Sequence, residues 1–263
     1  MAKALWSQNM NLNSKTPIGW IDTVVQLRDL SPAELEHLEI QLTRESVVAL
    51  VSAGFSPSRD LVRRTLPARN STTHVYHAWG LHPLATDISE PARWSDEVKQ
   101  LKPSFIGELG LDKRCLATLD WNQQLERAEL GLELAKEFRL PLIWHSVHAT
   151  QRSLELIATA TRWGGRGVWH GFHGSVETAK RLVAWGWKIG VGPNLLRPES
   201  HRLRDVVRAL SLDVIMLESD WPQPQRSYQL ARLGEEVAAL FKVPVEAVQA
   251  QLVQNFFDLV EKS

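Results

Sequence analysis

The 263 residues suit one large α/β domain better than two ordinary ones, and at 44% hydrophobic and 23% charged they supply a substantial core, which excludes wholesale disorder. Thirty basic residues against thirty acidic ones leave no net charge, so bulk electrostatic capture of nucleic acid or membrane finds no support in composition. A single cysteine, Cys115, excludes an internal disulfide and fits a reducing compartment.

The opening stretch "MAKALWSQNMNLNSK" has no continuous apolar core of the signal-peptide kind, and no run approaches the roughly 20 apolar residues that a bilayer span requires. The expectation is therefore a soluble, cytoplasmic protein with no membrane contact. Residues 1–17 are expected to form an irregular extension to a single barrel domain covering 1–263.

Apolar runs of strand length then alternate with segments of helical period. The predicted strands are "WIDTVV", "SVVALVSAG", "HVYHAWG", "SFIGELG", "LPLIWHS", "GVWHGF", "WKIGVG" and "VIMLESD". The predicted helices include Trp121 to Phe138, where Leu125, Ala128, Leu132 and Ala135 make one apolar face. Others are Thr150 to Trp163, Ser175 to Gly186 and Glu199 to Leu210, with two more from Tyr228 to Phe241 and from Val245 to Val260. The stretch Arg44 to Thr73 is the least regular, and its "SPSRDLVRR" reads equally as a short helix or a loop. Eight strands with helices between them predict a parallel sheet closed as an α/β (β/α)8 TIM barrel. An open doubly wound sheet is the alternative, but no Gly-rich phosphate loop follows the first strand.

Eleven tryptophans are many for this length. Trp79, Trp144, Trp169 and Trp187 lie in strand-like runs and are expected in the core, whereas Trp6, Trp94 and Trp221 are expected at the surface, where they would mark a contact face.

Catalytic groups of a barrel gather at the C-terminal ends of its strands. Here Glu108 ends "SFIGE", His145 ends "LPLIWH", His170 lies in "GVWHGFHG", Asp220 ends "VIMLESD", and His77 and His82 flank the end of the third run. A lone histidine is more often a structural residue than a ligand. Carboxylates and imidazoles at four separate strand ends nevertheless form a divalent-metal set. His148 and His173 are expected to make surface or substrate contacts, and Cys115 is read as inert.

Taken in order, "GLHP", "GELGLD", "LPLIWHS", "VWHGFHGS", "KIGVG" and "LESDWP" resemble the TatD family of metal-dependent hydrolases, well from Val75 to Pro222 and loosely outside it. The resemblance implies a metallo-dependent hydrolase barrel with one or two divalent ions that cleaves phosphodiesters, typically in DNA. It places ligands on Glu108, His145 and His170, with the catalytic aspartate on Asp220, which acts together with Glu108. His82, with His148 and His173, is expected among the substrate contacts. The family's opening Asp-x-His-x-His falls on Asp22, Val24 and Gln26, so only Asp22 survives as a ligand there. The loop after "LESDWP" looks shortened to "QPQRSYQ".

Two expectations follow. One is a divergent hydrolase holding one rather than two ions (Zn, Mn, Mg or Ni) and acting on DNA or a small phosphoester. The other is a catalytically weak barrel serving as a subunit with a protein partner. TatD-like members of multi-gene bacterial systems, antiphage defence included, would provide such a setting.

Overall fold

A computed structural model describes residues 18–57, 66, 73–222 and 227–261. The expected extension 1–17, with its Trp6, most of the "SPSRDLVRR" stretch and four residues of the loop after Pro222 lie outside the described residues.

Eight parallel strands follow one another around the sheet in chain order: β1 (Trp20–Val25), β2 (Val47–Ser52), β3 (His74–Leu81), β4 (Phe105–Asp112), β5 (Leu142–Val147), β6 (Gly167–Trp169), β7 (Lys188–Val191) and β8 (Ile215–Leu217). Nearly all strand residues are buried, as expected where helices cover the outside and side chains fill the inside. Among the described residues the helices are α1 (Pro32–Arg44), α2 (Pro91–Leu101), α3 (Trp121–Phe138), α4 (Thr150–Thr161), α5 (Val176–Ala184), α6 (His201–Ala209), α7 (Leu230–Phe241) and α8 (Val245–Glu261). The architecture is the expected (β/α)8 barrel. None of these helices is long and apolar enough to cross a membrane.

The sequence reading did not single out α1 and α2, although both carry start signals. Ser31 caps α1 in a reciprocal box with Glu34, followed by Pro32, and Pro91 opens α2. In α3 the box is Asp120 with Gln123, and Ala128, Leu132 and Ala135 face inward while Leu125 is only partly covered. Trp79, Trp144, Trp169 and Trp187 are fully buried. Trp94 departs from expectation: it is 3% exposed, packs edge-on against Trp79, and its indole N–H donates to the Ser89 carbonyl at 2.8 Å. Trp221 is half-buried against Tyr228.

The inner core contains Ile21, Val24, Ala49, Val51, Ala78, Phe105, Ile143, Val168 and Met216. Phe256 of α8 reaches Phe105, the first residue of β4, so α8 plugs the N-terminal end of the barrel and leaves the C-terminal mouth as the open end.

The seam between β1 and β8 closes through side chains as well as backbone. The Thr23 hydroxyl donates to the Leu217 carbonyl at 2.8 Å, the Ser219 N–H to Asp22 at 2.9 Å, the Asp220 N–H to the Val24 carbonyl at 3.0 Å, and the Gln26 N–H to the Trp221 carbonyl at 2.6 Å. This stitching fixes the segment that carries Asp220.

Candidate metal centre

Glu108 is not at a strand end, because β4 continues to Asp112. A register shift between Gly107 and Leu109 marks an irregularity where it sits. Such an irregularity re-aims a side chain within a strand. Leu109 packs with the outer core, while Glu108 faces histidines within the mouth. Two residues on, Gly110 has φ 145° and a Cβ there would stand 1.9 Å from the His145 carbonyl, so only glycine lets β4 and β5 meet at this level.

Around Glu108 the expected groups converge. His170 Nε2 lies 3.7 Å from Glu108 Oε1 and 3.8 Å from Asp220 Oδ1. Glu108, His170 and Asp220 form one cluster of potential ligand atoms, and His82, Glu108 and His145 form a second that shares the glutamate. Donors bonded to one ion at about 2.0–2.2 Å stand roughly 3.5 Å apart in a tetrahedral arrangement, so the first cluster fits a single cation with little adjustment. Glu108 is 3% exposed, whereas the Asp220 side chain is 35% exposed and reaches water. Burial raises the Glu108 carboxyl above its ordinary range against the pull of His170 and His145. A buried carboxylate in that state calls for a cation.

Each histidine is oriented by a different partner. His170 Nδ1 lies 3.0 Å from Glu218 Oε2, which leaves Nε2 to face Glu108 and Asp220. Burial alone would lower the His170 imidazole, but Glu218 and Glu108 raise it well above its usual value. His145 Nε2 lies 3.1 Å from Asp112 Oδ2, which leaves the other ring nitrogen for a ligand role. Burial would raise Asp112, yet the contacts from His145 and Arg114 hold it well below the carboxylate range.

His82 differs in kind. Its Nδ1 accepts the Leu84 N–H at 3.0 Å, so in the neutral ring Nε2 carries the proton, and that N–H lies 3.5 Å from Glu108 Oε2. Burial, with the neighbouring His145 and His170, keeps His82 well below its ordinary value and therefore neutral. It presents a donor to the mouth, as suits a substrate contact.

Glu218 escaped the sequence reading, which stopped at the end of "LESD" and took only Asp220. It is fully buried, and Oε1 accepts the Gly171 N–H at 2.5 Å. The glycines of "KIGVG" make its room: a Cβ at Gly190 would stand 2.5 Å from Glu218 Oε2, and one at Gly192 3.2 Å from Oε1.

Asp22, expected as a further ligand, is in neither cluster. Oδ1 accepts from Ser219 N at 2.9 Å and Val24 N at 3.3 Å, and Oδ2 from the Tyr228 hydroxyl at 2.8 Å. Burial raises its carboxyl to about 7 despite these bonds, and it raises the Tyr228 hydroxyl in turn, with Asp22 adding to it. The structure gives Asp22 a seam contact beside Asp220 instead. His148 and His173 are exposed, just beyond β5 and β6, and also stand outside the clusters. His77 is half-buried within β3, and Cys115 is buried, with burial raising its thiol.

At the positions of the missing histidine pair, Val24 is fully buried in the inner core, and Gln26 spans two charged groups. Gln26 Nε2 donates to Glu108 Oε1 at 3.4 Å, and Gln26 Oε1 accepts from the Arg28 guanidinium. Arg28 also donates to the Ala53 carbonyl at 2.7 Å and lies 4.7 Å over the Phe55 ring, which stacks on His82.

Residues 21–261 match the family described as TatD related DNase. The chain is 32% identical over 214 residues to "Uncharacterized metal-dependent hydrolase YjjV" of Escherichia coli K12, a match that covers 74% of this chain and 80% of that protein. The crystal structure of YjjV, described as a TatD homolog, superposes with a TM-score of 0.77 at 25% identity, covering 92% of this chain and 98% of the other. "Deoxyribonuclease Tat-D" of Schizosaccharomyces pombe is 32% identical over 118 residues, 44% of this chain and 37% of that protein.

Proposed function

Because the chain belongs to the TatD-related DNase family, we propose that it is a metal-dependent phosphodiester hydrolase that works with one firmly held divalent cation. The observation that carries this reading is the meeting of His170 Nε2, Glu108 Oε1 and Asp220 Oδ1 within one shell at the barrel mouth. His145, in the adjoining cluster with Glu108 and His82, is the further donor in this reading. Valine offers no lone pair at position 24, which supports one ion rather than two.

A divalent cation held there supplies Lewis acidity to a phosphoryl oxygen and to water. The protein's own part follows from exposure and hydrogen bonding. Asp220, the carboxylate that water reaches, accepts the proton of the attacking water. Glu108, shielded and held by Gln26, stays a fixed anion for the cation. His82 donates its Nε2 proton as a hydrogen bond to a phosphate oxygen, and His148 and His173 contact the flanking substrate from the rim. DNA and small phosphoesters share the group that this constellation recognises.

The test is hydrolysis of single-stranded DNA, duplex DNA and a chromogenic phosphodiester with Zn, Mn, Mg and Ni in turn. Turnover that is lost in Glu108→Ala and in Asp220→Ala supports the proposal. A protein inert with every ion, yet recovered with a partner protein, favours the assembly-subunit reading instead.

A further inference from the structure

We infer that Arg28 supplies, as a fixed side-chain charge relayed through Gln26, the positive charge that a second ion would bring to this mouth, and that it positions the anionic substrate beside the held cation. The inference rests on the one-cation reading above and adds a residue to it.

The argument starts from what the opening positions cannot do. Val24 is committed to the apolar interior with Ile21, Ala49 and Val51. Gln26 has one atom able to bind a metal, its carbonyl oxygen, and that oxygen accepts from the guanidinium of Arg28. Only this orientation of the amide satisfies both neighbours, since the carboxylate of Glu108 needs a donor and the guanidinium needs an acceptor. A cation approaching Gln26 Oε1 would therefore meet a like charge. A second ion does not fit at the opening positions, where Val24 and Gln26 stand.

What stands in its place is a rigid cationic device. Arg28 is held from several sides: by the Ala53 carbonyl at the end of β2, by Gln26, and by the face of Phe55. A guanidinium keeps its charge at any working pH and loses less entropy when it is held this way than a lysine would. Arg28 and Gln26 are both half-buried at the mouth, which leaves part of each facing solvent. Its field reaches Glu108 and His82, the pair that fronts the cation cluster. The guanidinium polarises the Gln26 amide, so its N–H holds Glu108 more firmly in the orientation that faces His170.

A positioning charge has a signature that a structural arginine lacks, because it acts with opposite sign on cations and anions. Removing it should tighten metal binding and weaken anion binding. At low salt each effect is expected to be on the order of tenfold, shrinking as salt is added. The experiment measures Mn(II) stoichiometry and affinity by equilibrium dialysis, and inorganic phosphate affinity of the Mn-loaded protein by calorimetry. The proteins are the wild type, Arg28→Met, Arg28→Lys and Gln26→Met, each with a melting curve. The expected result is one Mn(II) per wild-type chain. Arg28→Met should bind Mn(II) more tightly and phosphate more weakly, Arg28→Lys should lie near wild type, and Gln26→Met, which keeps the charge but frees Glu108 of its donor, should bind Mn(II) no more tightly than wild type. Arg28→Gln, measured in the same way, carries the test if Arg28→Met does not fold.

One Mn(II) per chain with both affinities unmoved, or both weakened together, overturns the role of Arg28 and leaves the one-cation reading standing. Two Mn(II) per wild-type chain overturns both ideas but not hydrolysis. No Mn(II) at all removes the reading and the inference with it.

Discussion

Replacing Asp22 by asparagine tests whether this carboxylate clasps the seam or grips a metal. Its side chain is fully buried and accepts three hydrogen bonds, yet burial raises the carboxyl from 3.8 to about 7. Between those two values the folded chain holds a proton that the unfolded chain has released. By linkage, the stability contributed by that proton is fully present below about 3.8 and is lost as pH rises through about 7. The whole effect amounts to roughly 4 kcal/mol, and about 2 kcal/mol of it falls between about pH 5.5 and pH 8. Asparagine resembles the protonated acid. Its oxygen still accepts from Ser219 and Val24, and its N–H₂ reaches the Tyr228 oxygen. Urea denaturation of wild type and Asp22→Asn at the two pH values should therefore show wild type losing about 2 kcal/mol more than the variant. Metal affinity should be the same in both. Equal pH dependence in the two proteins, or loss of metal in the variant, would refute the assignment to the seam.

Glu218→Gln keeps the size and removes the charge behind His170, so cation affinity should fall by about 10- to 100-fold with circular dichroism unchanged; an unaltered dissociation constant would show that Glu218 only packs. Gly190→Ala forces a methyl group to 2.5 Å from Glu218 Oε2 and 2.8 Å from the Trp169 carbonyl, so it should weaken cation binding and lower the melting temperature together. Asp120→Ala removes the cap of α3, far from the ligands in sequence, and should cost about 1 kcal/mol in denaturation while leaving cation affinity untouched.

The barrel was legible because its strands are covered on both faces and read as unbroken apolar runs, eight of them. Their polar interruptions pointed to the mouth. What the runs conceal is orientation. Glu108 looked like the end of a strand because a carboxylate after "SFIG" usually is one, but the register shift at that point lets β4 continue past it. Glu218 hides two residues before Asp220, and only the space left by Gly190, on another strand, shows that its side chain turns inward. Arg28 carries no periodic signal. It meets the mouth through the 3₁₀ turn Leu27–Asp29, which brings it back to Gln26. Trp94 was misplaced because α2 was not recognised, and a tryptophan on an unrecognised helix reads as a surface residue. Asp22 matched a metal-binding pattern by spacing, but Tyr228, more than 200 residues later, takes one of its oxygens.

The most direct measurement is anomalous diffraction from crystals grown with Mn(II). One peak per chain, bounded by Glu108, His170 and Asp220, with Arg28 and Gln26 lying where a second ion would sit, is the predicted result. A peak beside Asp22, or a mouth without any peak at saturating Mn(II), would contradict the account.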